Sequence, residues 1–122
     1  MKLRFHGNTL RLRLSQSDVT RLAETGRVEE QVMFAPKQTL VYVIESGVVE
    51  GGGDEIRASF ENGRIRVTLP AAVAKHWVES DETGIESSGG PLTVLVEKDF
   101  QCLHRDGDKD GDAFPNPLAE GR

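Results

Sequence analysis

The chain has 122 residues, 37% of them apolar and 29% charged, with a formal net charge of −5. That size suits one domain with a single modest core, and the composition excludes a disordered or membrane-embedded class. No apolar run approaches the roughly 20 residues of a membrane span, and the lone cysteine, Cys102, excludes an intrachain disulfide.

From the N-terminus, MKLRFHG passes straight into alternating residues without the apolar run of a secretory signal, so a cytoplasmic location is expected. Leu3 and Phe5 alternate with Lys2, Arg4 and His6, and Leu10, Leu12 and Leu14 alternate with Thr9, Arg11 and Arg13. Period two predicts two strands, 2–6 and 9–14, each with one buried face. Gly7-Asn8 between them tolerates positive φ and closes a hairpin. In SQSDVTRLAETG, Ser15 or Ser17 supplies an N-cap, Asp18 an acid in the first turn and Gly26 a stop, which predicts a helix over 16–25. Two more strands follow, 28–34 and 39–45, separated by the turn APKQ.

Gly51-Gly52-Gly53 is too permissive for a regular element and marks a connector over 47–54. The pattern then restarts. Setting residue n against n+55 pairs Phe5 with Phe60, Leu10 with Ile65, Arg11 with Arg66, Leu12 with Val67 and Leu14 with Leu69. Pro70 suits the first turn of a second helix, PAAVAKHWVES, with Val73 and Trp77 on one face. Strands at 83–87 and 92–100 complete the second half. The expected fold is α+β and β-rich, with two tandem ββαββ pseudo-repeats, 1–46 and 55–104, packed as one barrel-like domain over 1–104. An irregular acidic tail, 105–122, follows.

Within the second half, Gly63, Ile65, Val67, Pro70, Val73, Asp81 and Ile85 form a pattern that resembles the AbrB/MazE-type swapped-hairpin domain. In that family two chains interlock, and the resemblance implies that two halves of one chain take the place of two subunits. Across its whole length the chain resembles a family of short bacterial proteins of unknown function, through RFHGNTLRLRL, VEKDFQCLHR and DAFPNP. That resemblance implies no activity, and no catalytic residue is assigned.

Three constellations bear on function. Lys2, Arg4, Arg11 and Arg13 lie on the polar side of one hairpin, and Arg57, Arg64 and Arg66 on that of the other. Such ribbons suit contact with nucleic acid or another polyanion, because arginine makes forked bonds to phosphate. The rival reading pairs these cations with Glu29, Glu45, Glu86, Glu97 and Asp99 across the sheet. In the tail, Asp106, Asp108, Asp110 and Gly111 follow the order of a calcium loop, but its twelfth position is Pro117 instead of a bidentate glutamate. Phe114 and Leu118 are the tail's candidate contacts for a protein partner, and Cys102, His104 and Asp106 are weak metal candidates.

No cofactor is expected: the sequence has no phosphate loop, nucleophile elbow or HExxH motif. The leading expectation is a non-enzymatic binding or regulatory domain that contacts a polyanion. Two alternatives stand beside it. One is a metal-dependent barrel acting on a phosphorylated small molecule, with Glu97 and Asp99 as ligands; the other is a protein-interaction module working through the tail.

Overall fold

A computed structural model describes residues 1–49, 52–87, 90–100 and 114. The element order is β1 (Lys2–His6), β2 (Thr9–Leu14), α1 (Gln16–Thr25), β3 (Arg27–Ala35), β4 (Gln38–Gly47), β5 (Arg57–Glu61), β6 (Arg64–Pro70), α2 (Ala71–Glu79), β7 (Gly84–Ser87) and β8 (Thr93–Lys98). The chain is thus a β-rich α+β structure in which the order ββαββ occurs twice. Among the described residues, no helix is long and apolar enough to cross a membrane.

The barrel-like packing expected from the sequence is corrected by the strand order. The strands form two separate four-stranded sheets, β1-β2-β8-β7 and β3-β4-β6-β5. Each sheet keeps two edges, so neither closes. Edge β1 carries Lys2, Arg4 and His6, and edge β5 carries Arg57 and Glu61; such charges discourage further strand pairing.

Each sheet joins a hairpin from the first half of the chain to one from the second. β2 runs parallel to β8, with Leu10 opposite Val94 and Leu12 opposite Val96. β4 runs parallel to β6, with Tyr42 opposite Ile65 and Ile44 opposite Val67. A lone two-stranded hairpin is marginal in water, so each one gains its stability from the other half. Equivalent backbone bonds close the two junctions: Thr93 N–H donates to the Asn8 carbonyl at 3.0 Å, and Val41 N–H to the Gly63 carbonyl at 2.9 Å.

The inward faces meet in one core. Leu10, Leu12, Leu14, Val94 and Val96 come from one sheet and Val28, Ile44, Ile65 and Val67 from the other, with Leu22 of α1 and Trp77 of α2 closing one end. Trp77 is the largest fully buried side chain. Its indole Nε1 has no acceptor among the described residues, while Lys98 Nζ lies 5.4 Å from the ring centroid and donates to the Ser80 carbonyl at 2.8 Å. Lys98 therefore ties β8 to the end of α2, combining a cation–π contact with a bond to an orphan helix carbonyl.

Helix α1 starts as its sequence predicts. Ser15 is the N-cap; its hydroxyl accepts from Asp18 N–H at 3.2 Å, and the Asp18 carboxylate accepts from Ser15 N–H at 3.0 Å. Gly26 ends the helix at φ 79°, a left-handed conformation that glycine adopts without a Cβ penalty. Pro70 departs from expectation: it closes β6 and caps α2 from outside at ψ 140° instead of occupying the first helical turn. Val49 within the connector and Ile56 just after it are buried.

Trp77→Ala is expected to cost about 3–5 kcal/mol in urea unfolding, through lost contacts and a cavity in the shared core. Trp77→Phe is expected to cost far less, since no indole hydrogen bond among the described residues is lost.

Candidate functional site

The seven basic residues do not share one surface. Register places Lys2 opposite Arg13 and Arg4 opposite Arg11 on the outward face of the first sheet. Arg57 lies opposite Thr68, Arg66 opposite Ser59 and Arg64 opposite Glu61 on the outward face of the second. Because both inward faces bury into one core, the two basic sets point away from each other.

Parallel pairing brings an acidic strand beside each basic one. Glu97 Oε1 lies 3.4 Å from Arg11 Nε and 3.3 Å from Arg13 Nε, so one carboxylate serves two guanidinium groups. The Arg13 contact is a hydrogen bond, whereas Arg11 Nε is buried and has no well-aligned acceptor among the described residues. Lys2 Nζ meets Asp99 at 3.0 Å. On the second sheet Arg66 Nε lies 3.3 Å from Glu45, and Glu29 accepts from Arg64 at 3.2 Å and from Arg27. Arg4 and Arg57 are exposed and enter no ion pair among the described residues. These bonds, from Arg27 first and Arg64 second, hold the Glu29 carboxyl below its ordinary range.

Pairing is not the only task of these side chains. Val43 lies on the outward face of the second sheet, between Glu29 and Arg66 in register, yet is 1% exposed. The aliphatic stems of its long neighbours account for that cover, with their charged heads left at the surface. Leu95, between Arg11 and Glu86 in register, is half-buried in the same way.

A second ionic cluster was not legible in the side-chain pattern. The N-terminal ammonium of Met1 contacts Asp18 of α1 at 2.8 Å and Glu30 of β3 at 2.5 Å, and Tyr42 Oη donates to the Met1 carbonyl at 3.3 Å. Glu30 alternates with Val28 on the inward side of β3, where its half-buried carboxylate meets the ammonium. Burial opposes the charge on the ammonium, but the bonds to Asp18 and Glu30 outweigh it and raise its pKa. Burial likewise opposes the Asp18 carboxylate, and the bonds from the N-terminus and from Ser15 outweigh it and lower its pKa. Tyr42 is raised by burial and by the nearby Glu30 and Asp18 charges.

Of the tail residues, Phe114 is exposed, while Leu118, Cys102, His104 and Asp106 lie outside the described residues, as does the acidic Asp108-to-Gly111 run. Among the described residues, no group of three His, Cys, Asp or Glu is placed to hold a metal ion. His6 is exposed on edge β1 and His76 on α2.

The other surface feature is apolar. An open groove of about 440 Å³ runs between the two sheets at the end away from the helices, lined by Phe5, Leu10, Leu40, Phe60, Ile65 and Leu92 among others. Phe5 and Phe60 flank it at 55% and 68% exposure. Phe5 lies on the apolar side of its strand and Phe60 is its counterpart at n+55, and their exposure reflects their position at the open end of the core.

Two four-stranded sheets that share hairpins, charged outward faces and an apolar open end define a small β-rich α+β domain. The chain belongs to the Family of unknown function (DUF7009), whose model matches residues 1–118. No curated protein and no solved structure matches it.

The ammonium–Asp18 cluster makes stability depend on pH in both directions. The raised amine contributes stability that is complete below its unfolded value of about 8 and is lost as pH rises through the higher folded value. The lowered Asp18 contributes stability that is present above about 4 and is lost as pH falls through its folded value. Asp18→Asn is expected to cost about 2 kcal/mol at neutral pH in urea unfolding. Its deficit against the parent chain should shrink at pH values well above the amine's folded pKa; an undiminished deficit there rules out the ion pair as its source.

Proposed function

We propose that the chain is a non-enzymatic binding domain that contacts a polyanion, such as nucleic acid, along the outward face of the β1–β2 ribbon. The supporting observation is the cross-strand placement of like charges. Lys2 faces Arg13, Arg4 faces Arg11, and Glu97 alone is shared by Arg11 and Arg13. Like charges directly opposite one another are unfavourable in a sheet, and a phosphate backbone laid along the ribbon relieves that cost. Arg4 enters with its guanidinium unengaged among the described residues, and Arg11 has a poorly satisfied Nε. Arg4 offers donors to phosphate without a competing bond to break, and Arg11 would exchange a poorly aligned contact with Glu97 for one with phosphate.

The second ribbon is the weaker contact in this proposal. Arg64 and Arg66 are bonded to Glu29 and Glu45, so a polyanion there has to displace a carboxylate, leaving Arg57 as the free guanidinium among the described residues. The exchange of hairpins between halves is, on this reading, an intramolecular counterpart of the swapped-hairpin arrangement implied by Gly63, Ile65, Val67 and Pro70. Phe114, at 96% exposure, and Leu118 are proposed to engage a protein partner. The metal-dependent alternative is less favoured, because Glu97 and Asp99, its ligands, are engaged by Arg11, Arg13 and Lys2.

Fluorescence anisotropy with labelled single- and double-stranded oligonucleotides at about 50 mM salt tests the proposal. Binding is expected, with a log–log salt slope that falls by about 2 in the Arg4→Ala, Arg11→Ala double variant. The Arg64→Ala, Arg66→Ala variant should change it less. Absence of binding at low salt, or binding indifferent to Arg4 and Arg11, contradicts the proposal.

A further inference from the structure

The β3–β4 hairpin outruns its sheet. Gln38, Thr39 and Leu40 pair with β3 alone, and the first residue of β4 paired with β6 is Val41. At about 3.4 Å per residue the hairpin projects roughly 10 Å beyond the four-stranded region. The other sheet differs: β8 is paired with β2 from its first residue, Thr93. The projecting tip carries Val32, Met33 and Phe34 at 42%, 71% and 72% exposure. It stands beside the groove between Phe5 and Phe60, for Leu40 belongs both to the hairpin and to the groove wall. One end of the molecule therefore holds an apolar knob and an apolar hole.

We propose that the occupant of this groove is the tip of a second copy of the chain, in a twofold dimer in which each copy inserts Met33 and Phe34 between Phe5 and Phe60 of the other. A twofold contact requires a patch complementary to itself, and a knob and a hole on one end meet that requirement. The exposed parts of Val32, Met33, Phe34, Phe5 and Phe60 amount to roughly 600 Å² per copy, taking about 200 Å² for a free aromatic ring. Complete cover of these residues in two copies buries roughly 1,200 Å², which reaches the lower bound of a specific interface. Charge agrees with this pairing. Lys37 at the tip of the knob and Glu61, which follows Phe60 at the end of β5, are both exposed, and neither has an ion-pair partner among the described residues. Exchange of tips brings these opposite charges together twice.

The contact uses the inward side of the β1–β2 ribbon, through Phe5, and leaves free the outward face that carries Lys2, Arg4, Arg11 and Arg13. Sedimentation velocity of the full chain from about 1 to about 300 µM tests it, a range that spans the weak affinities expected at this area. A monomer–dimer equilibrium is expected. Phe34→Glu, at an exposed site, should weaken association at least about tenfold with an unchanged far-UV spectrum and unchanged oligonucleotide binding. Lys37→Glu should also weaken it, and Lys37→Glu combined with Glu61→Lys should restore it. A chain that stays monomeric throughout, including one that binds a different protein through Phe34, overturns the proposal. So does a dimer indifferent to Phe34→Glu, or one that the charge exchange does not restore.

Discussion

Everything in this molecule depends on two parallel strand pairings, β2 with β8 and β4 with β6. They are the only hydrogen-bonded ladders among the described strands that join the two halves of the chain, and each turns two marginal hairpins into one four-stranded sheet. The core follows from them, since the leucines of β2 and the valines of β8 occupy one inward face only in this register. Neither half holds a complete sheet, so neither can bury its apolar face alone.

The same pairings set the electrostatics. Parallel register places Glu97 beside Arg11 and Arg13, and Glu45 beside Arg66, so that each basic strand finds its acids in the opposite half of the chain. The compensation is uneven. The second sheet matches its arginines with Glu29 and Glu45, whereas the first leaves four cations on one ribbon around Glu97, with Asp99 at its margin. A net charge of −5 is therefore compatible with a locally basic face. The long side chains also shield Val43 and Leu95, so removing an arginine here affects packing as well as charge.

Much of the local structure was legible in the sequence. Alternation gave both N-terminal hairpins, and Ser15, Asp18 and Gly26 bounded α1 because capping chemistry is local. The partner of each strand was not legible, since period-two alternation identifies the buried face but carries no information on the neighbouring strand. Hence the arginines and their acids are recognisable as candidates for pairing, while the sequence suggests a barrel-like packing where two open sheets with four free edges exist. Phe5, Phe60 and Phe34 show the same limit: each fits an apolar pattern, and only the length of the surrounding strands decides that they reach solvent. The pairing of Glu30 is not legible either, because its partner is the terminal ammonium, a group no side-chain pattern contains.

The account's central claim is that the two halves are one cooperative unit held by the parallel pairings. Native-state hydrogen exchange measures this most directly, through the opening free energies of amides in β2 and β4 against those in β6 and β8. A common value for the central amides of all four strands, equal to the global unfolding free energy, is the predicted result. Amides of residues 9–14 and 38–47 that open at a distinctly different free energy from those of 64–70 and 93–98 would contradict it, since the halves would then fold and unfold separately.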